Sequence, residues 1–138
     1  MTVTAPSLLG LTSRTLEFTD DTVTALATVD PGYEAFPGHY PGFPVFPGVG
    51  LIEFADGTVT ADQARRGRAV ELVGVELCRF REPVFPGDEL TIRVTYHASR
   101  PDDTGVRSTV AIDTGRGRAA DLRIVHERRP AAGPGGAA

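Results

Sequence analysis

The chain contains no lysine: all 14 of its basic residues are arginine, set against 18 aspartates and glutamates for a net charge of −4. An arginine-only basic set fits a GC-rich coding sequence and carries no functional message by itself. The acidic balance argues against nucleic acid as a partner. The single cysteine, Cys78, excludes an intrachain disulfide, and it reads as a small apolar side chain inside the fold rather than a reactive thiol. No Cys/His cluster has metal-site spacing. No apolar run approaches the roughly 18 residues that span a bilayer, and the first residues lack the basic and apolar regions of a secretory signal. These absences describe a soluble, cytoplasmic protein with no membrane, metal or nucleic-acid business. There is no internal repeat, and 138 residues suffice for one domain with its own core.

Most of the chain reads as strand. Residues 14–18 form a short candidate, and residues 22–29 alternate, with Val23, Ala25, Ala27 and Val29 on one face. Four more strands follow at residues 70–80, 90–97, 106–113 and 120–127, joined by short Pro-, Gly- and Asp-rich links that favour antiparallel neighbours. Between the two sets, Val49, Ile52, Ala55 and Val59 recur at helical spacing, entered through Pro47-Gly48 and ending near Arg66-Gly67. Gly57 and the β-branched run Thr58-Val59-Thr60 are poor helix formers, so this helix needs burial to hold it. It is the one element available to cover the apolar face of the sheet. The expectation is an α+β domain over residues 1–129, an antiparallel sheet curled around one helix. A disordered Pro/Gly/Ala-rich tail is expected over residues 130–138.

The chemistry concentrates in one stretch. Five prolines and four glycines fall between Pro31 and Gly48, stiffening a loop that carries His39. Glu53 follows 14 residues later, among Leu51, Ile52, Phe54 and Ala55. Taken alone, His39 reads as a turn residue bonding the backbone. Glu53 shifts that balance, because a carboxylate on a mostly buried helix must be paired or protonated. Gly48 and Val49 open the helix, where backbone N–H groups lack partners and carry positive partial charge. A base, an acid and a polarising helix terminus suit proton removal α to a thioester with loss of a β-hydroxyl.

The segment Gly38-His39-Tyr40-Pro41-x-x-Pro44-Val45-Phe46-Pro47-Gly48-Val49-x-x-Ile52-Glu53 resembles the active-site segment of the hot-dog-fold β-hydroxyacyl-acyl carrier protein dehydratases. The stretch from Cys78 to Leu90, with Pro83, Pro86-Gly87-Asp88, resembles the family's second signature, and the likeness extends over about residues 12–128. It implies a sheet wrapped around one long central helix, in a homodimer or a heterodimer with a related hot-dog subunit. His39 would then be the base, Glu53 of the other chain the acid, and the Gly48 amide the group polarising the thioester carbonyl. Tyr40, Phe43, Val49, Phe54 and Phe80 would bind substrate, with Phe85 a further apolar candidate. The product would be a trans-2-enoyl thioester, with no cofactor beyond the phosphopantetheine arm of an acyl carrier protein. Arg65, Arg66, Arg79 and Arg81 would face that acidic partner, unless they are ordinary surface arginines. The chain departs from the family in Phe54-Ala55-Asp56-Gly57, where a glutamine is usual, and in Tyr40 and Phe46. These departures suggest polyketide or other secondary metabolism as readily as fatty acid biosynthesis. Two alternatives stay open at this point: a hot-dog thioesterase, and a non-catalytic or half-site subunit of a heterodimeric dehydratase.

Overall fold

The computed structural model describes residues 2–4, 11–30, 48–97 and 105–129. Within them, period-two alternation builds β2 (Leu11–Phe18), β3 (Thr22–Val29), β4 (Val70–Phe80), β5 (Glu89–His97), β6 (Gly105–Thr114) and β7 (Gly117–Arg128). A short β1 (Thr2–Thr4) adds to the edge of β2. Sequence gave no sign of β1, since three residues cannot show a period. β2 also starts earlier than expected, at Leu11, where a shift in register against β3 marks an irregularity. Leu8, Leu9, the loop at residues 31–47, the link at 98–104 and the tail at 130–138 lie outside the described residues.

Every strand pair is antiparallel, and the order is β1-β2-β3-β5-β6-β7-β4. Residues 81–88 are too short a link to suggest anything but a hairpin, yet β4 and β5 are not neighbours. The link instead carries the chain from the outer strand to the middle of the sheet. Val84 plugs the core on the way, with 1% exposure. The far end of the link is tied to β3, where Val29 N–H donates to Asp88 O at 2.8 Å and Gly87 N–H to Val29 O at 2.9 Å. Asp88 also accepts from the Phe85 N–H and from Arg116. The Arg116 bond is the main reason its carboxyl sits below the usual carboxylate range.

The helix α1 (Gly48–Arg65) lies against the inner face of the sheet. Leu51, Phe54, Ala55, Thr58, Val59, Asp62 and Gln63 form its buried stripe at helical spacing. Opposite them stand Val23, Ala25, Leu90, Ile92, Val94, Val110, Ile112, Leu122 and Ile124, all buried. Each large side chain so enclosed contributes about 1.5–3 kcal/mol, which offsets the weak helix propensity of residues 57–60. Thr58 satisfies its buried hydroxyl by donating to Phe54 O at 2.7 Å. The helix stops at Gly67, whose φ of 82° places it in the left-handed region. Arg68 N–H then reaches Gln63 O and Gly67 N–H reaches Ala64 O, closing off the last carbonyls.

Asp62 pins this end of the helix. Oδ1 accepts from Arg65 and Oδ2 from Arg66 Nε and the Tyr96 hydroxyl, at 2.7–3.1 Å. Arg66 continues to the carbonyls of Thr19 and Asp20, and Arg65 stacks on the Phe18 ring. Burial, reinforced by Asp62, holds the Tyr96 hydroxyl well above its usual range. Arg65 and Arg66, read from sequence as either carrier-protein contacts or ordinary surface arginines, instead join helix to sheet. Asp62→Ala should cost roughly 3–5 kcal/mol, because it leaves two arginines and a tyrosine around an empty site. A denaturant midpoint indistinguishable from that of the native chain would refute this account of the helix end.

Candidate active site

The helix begins where the proline-rich loop ends. Gly48 is the first residue of α1, so its N–H is among those with no partner inside the helix. The ring of Phe80, last residue of β4, rests directly on it: a Cβ at Gly48 would lie 2.8 Å from Phe80 Cε2 and Cζ. No larger residue fits beneath that ring without moving it. Phe80 is 51% exposed and Val49 64% exposed, so the helix entrance carries an open apolar lip. Three of the residues singled out from sequence, Gly48, Val49 and Phe80, thus come together.

An ion-pair ladder fixes the strand end that carries Phe80. Arg81 pairs with Asp121, which also accepts from Arg118, and Arg118 reaches Asp113 at 2.7 Å. Arg81 first and Arg118 second hold the Asp121 carboxyl below its usual range. Arg81 is therefore committed within the chain, while Arg79 is exposed on β4.

Glu53 differs from expectation. It is exposed, not buried. At about 100° per residue it sits about 200° around the helix from Leu51, off the stripe that meets the sheet. It shares an outward face with Val49 and Thr60, both exposed, at spacings of four and seven. Five residues of helical rise place it about 7.5 Å along the axis from Gly48. Phe54 is corrected in the opposite sense. At 1% exposure it belongs to the core of the chain and not to the open lip. Phe85 is half-buried under the Arg116 guanidinium. Cys78 is exposed on the outer strand rather than buried, and partial burial raises its thiol above the usual range. His39, Tyr40 and Phe43 lie outside the described residues.

One pairing was not legible. Asp56, noted in sequence only as a departure, accepts at Oδ1 from Nε2 of His126 on β7, at 2.8 Å. His126 is fully enclosed. His126 continues the period-two series Ala120, Leu122 and Ile124 along β7, but nothing in that spacing names its partner 70 residues away. Among the described residues no group of three or more His, Cys, Asp or Glu side chains converges as a metal site would.

A family described as ApeI-like, ApeI dehydratase, matches residues 15–114. A 3-hydroxyacyl-[acyl-carrier-protein] dehydratase FabZ of Paramagnetospirillum magneticum is 40% identical over 84 residues, 56% of this chain and 52% of the relative, so the chain spans about half that protein's length. The FabZ of Streptococcus uberis is 31% identical over 107 residues, covering 75% of this chain and 76% of the relative. Among solved structures, the dehydratase heterocomplex ApeI:P from Xenorhabdus doucetiae matches with a TM-score of 0.66 at 20% identity, over 86% of this chain and 96% of that one. A hypothetical thioesterase from Streptococcus pneumoniae, solved with coenzyme A, matches with a TM-score of 0.66 at 15% identity, over 83% and 84%. The shared architecture is the hot-dog fold.

The contact at the lip is testable by a double-mutant cycle. Gly48→Ala and Phe80→Ala should be non-additive in unfolding free energy by at least about 0.5 kcal/mol, since the first substitution hurts only while the ring is present. Strictly additive values would show that the ring does not rest there.

Proposed function

The chain belongs to the ApeI-like dehydratase family, and from that premise we propose that it removes water from a 3-hydroxyacyl thioester carried by an acyl carrier protein, giving a trans-2-enoyl thioester. The observation that carries this reading is the placement of the family-like segment. Its Gly48 opens the helix, and its Glu53 stands uncovered on the helix face beyond the apolar lip.

The roles follow from the chemistry. His39 takes the α-proton, imidazole being the side chain whose ordinary range suits a base near neutral pH. The Gly48 N–H, at the positive end of the helix, stabilises negative charge as it develops on the thioester oxygen. Glu53 gives its proton to the departing hydroxyl, which leaves as water. Val49 and Phe80 line the approach of the acyl chain, with Tyr40 and Phe43 from the loop. The reaction needs no cofactor, since only protons and water change hands. A pathway in fatty acid or polyketide assembly would supply the substrate.

We read the working unit as a pair of hot-dog chains, two copies of this one or this one with a related subunit. The outer strand β4 is 11 residues long and has no neighbour on its far side among the described residues. It exposes Val73 and Val75 at 49% and 42%. A long edge with exposed valines, its Glu71 and Glu76 already paired to Arg129 and Arg107 of the same chain, is a template for a second strand. The uncovered face bearing Glu53 is what a second chain would close, excluding water from the acid.

His39→Ala and Glu53→Ala should each lower enoyl thioester formation by roughly 100- to 10,000-fold with the fold retained by circular dichroism. Native turnover in both variants would overturn the reading. Release of free thiol in place of enoyl product would instead assign thioester hydrolysis. Val75→Glu should shift the mass measured by light scattering from a pair towards the 14.6 kDa single chain; a single chain before substitution would remove β4 as the joining edge.

A further inference from the structure

The two aspartates on α1 are built differently. Asp62 is fully enclosed, and both of its oxygens are occupied by arginine and tyrosine donors. It has nothing left to offer. Asp56 receives both of its donors on a single oxygen: Oδ1 accepts from His126 Nε2 at 2.8 Å and from Thr60 Oγ1 at 3.3 Å. Its Oδ2 has no partner among the described residues, and its side chain is 38% exposed. One oxygen is held from behind and the other is left open.

The holder is unusual in its own right. His126 is fully buried, and its Nδ1 has no hydrogen-bond partner among the described residues. The positions preceding it on the same inner face are Ala120, Leu122 and Ile124. A buried apolar residue in its place would strand no polar atom. What the imidazole adds, and an apolar residue would not, is the bond to Asp56.

Asp56 is also well placed. It follows Glu53 by three residues, so the two positions are neighbours on the helix surface, with Cβ atoms about 5–6 Å apart. Side chains so spaced can meet on one oxygen atom. A hydroxyl has one proton to donate and two lone pairs to accept with. Two donors already converge on Asp56, the arrangement of an accepting group, and none converges on Glu53 among the described residues.

We propose that Asp56 is a second catalytic carboxylate: its Oδ2 accepts the O–H of the substrate's 3-hydroxyl while Glu53 donates to the same oxygen, and His126 is the positioning residue that aims it. This rests on the dehydratase reading and extends it. In the elimination, the α-proton passes to His39, its electron pair forms the new C=C bond, and the C3–O bond breaks. The oxygen takes a proton from Glu53 and departs as water, still donating to Asp56. Asp56 itself neither gains nor loses a proton. Solvent then returns the proton from His39 to Glu53.

The test compares a hydroxylated ligand with one lacking the hydroxyl, using the assembly that shows dehydration. Affinity for 3-hydroxyacyl and for saturated acyl pantetheine thioesters is measured in a Glu53→Gln background, which stops turnover, with and without Asp56→Asn. Asp56→Asn should weaken the hydroxylated ligand by about tenfold to a hundredfold and leave the saturated one unchanged. In the chain with Glu53 intact it should lower kcat by a similar factor with little change in thermal midpoint. His126→Phe should reproduce the kcat loss, and His126→Gln, whose amide can still donate to Oδ1, should recover part of it. Native kcat in Asp56→Asn would overturn the proposal, as would an equal loss for both ligands, which marks a merely structural contact. Failure of the underlying reading looks different: the native protein would form no enoyl product at all.

Discussion

The helix α1 exists because the sheet encloses it. Its residues do not favour the conformation, with Gly57 and a β-branched run at its centre, so the fold and the site stand or fall with that enclosure. The apolar stripe from Leu51 to Val59 provides the bulk of the attraction. Polar ties then fix the helix in rotation and along its axis: Asp62 with Arg66 and Tyr96 at one end, and Asp56 with His126 nearer the middle. Rotation matters most here. Turning the helix by a single residue, about 100°, would carry Glu53 off the open face and Asp56 away from its imidazole.

Much of this was readable before any coordinates. Alternation at Val23, Ala25, Ala27 and Val29, and again along β5 to β7, fixed strands and faces because a half-buried strand has only one way to satisfy period two. The helix was readable for the same reason at another period, and its end at Gly67 followed from the residue that tolerates a positive φ. The burial of Glu53 was misjudged because apolar neighbours in sequence point elsewhere on a helix: Leu51 and Phe54 face the sheet, and Glu53 does not. The neighbour of β4 was misjudged because link length reports how far a chain can reach, not which edge it reaches. The Asp56–His126 bond joins residues 70 apart, and no local pattern encodes a contact of that span. Cys78 followed β4: an outer strand with little covering it exposes residues that elsewhere would be core.

The candidate site gathers unlike requirements onto one short helix. Gly48 must be small because the Phe80 ring lies on it, and it must also be the residue whose amide is left over at the helix start. The outward face must remain uncovered by its own sheet if substrate and a second chain are to reach it. The inward face must be apolar enough to hold a poor helix in place. A stretch of 18 residues meets all of these by separating them around the helix axis. The inner stripe keeps the structure, the outer face is left free for the proposed chemistry, and Asp56 sits on the boundary, tied through one oxygen to His126 and partly exposed.

The strand order has a consequence for how the chain is made. β4 follows directly on the helix in the sequence, yet its one neighbour among the described residues, β7, comes last, with Phe80 paired to Ala120 and Val70 to Arg128. During synthesis β4 therefore waits without a mate while β5 and β6 form their own hairpin. Such distant pairings are slow to find. A nascent chain that stops short of residue 120 therefore lacks the strand partner of Phe80, the residue whose ring lies over Gly48.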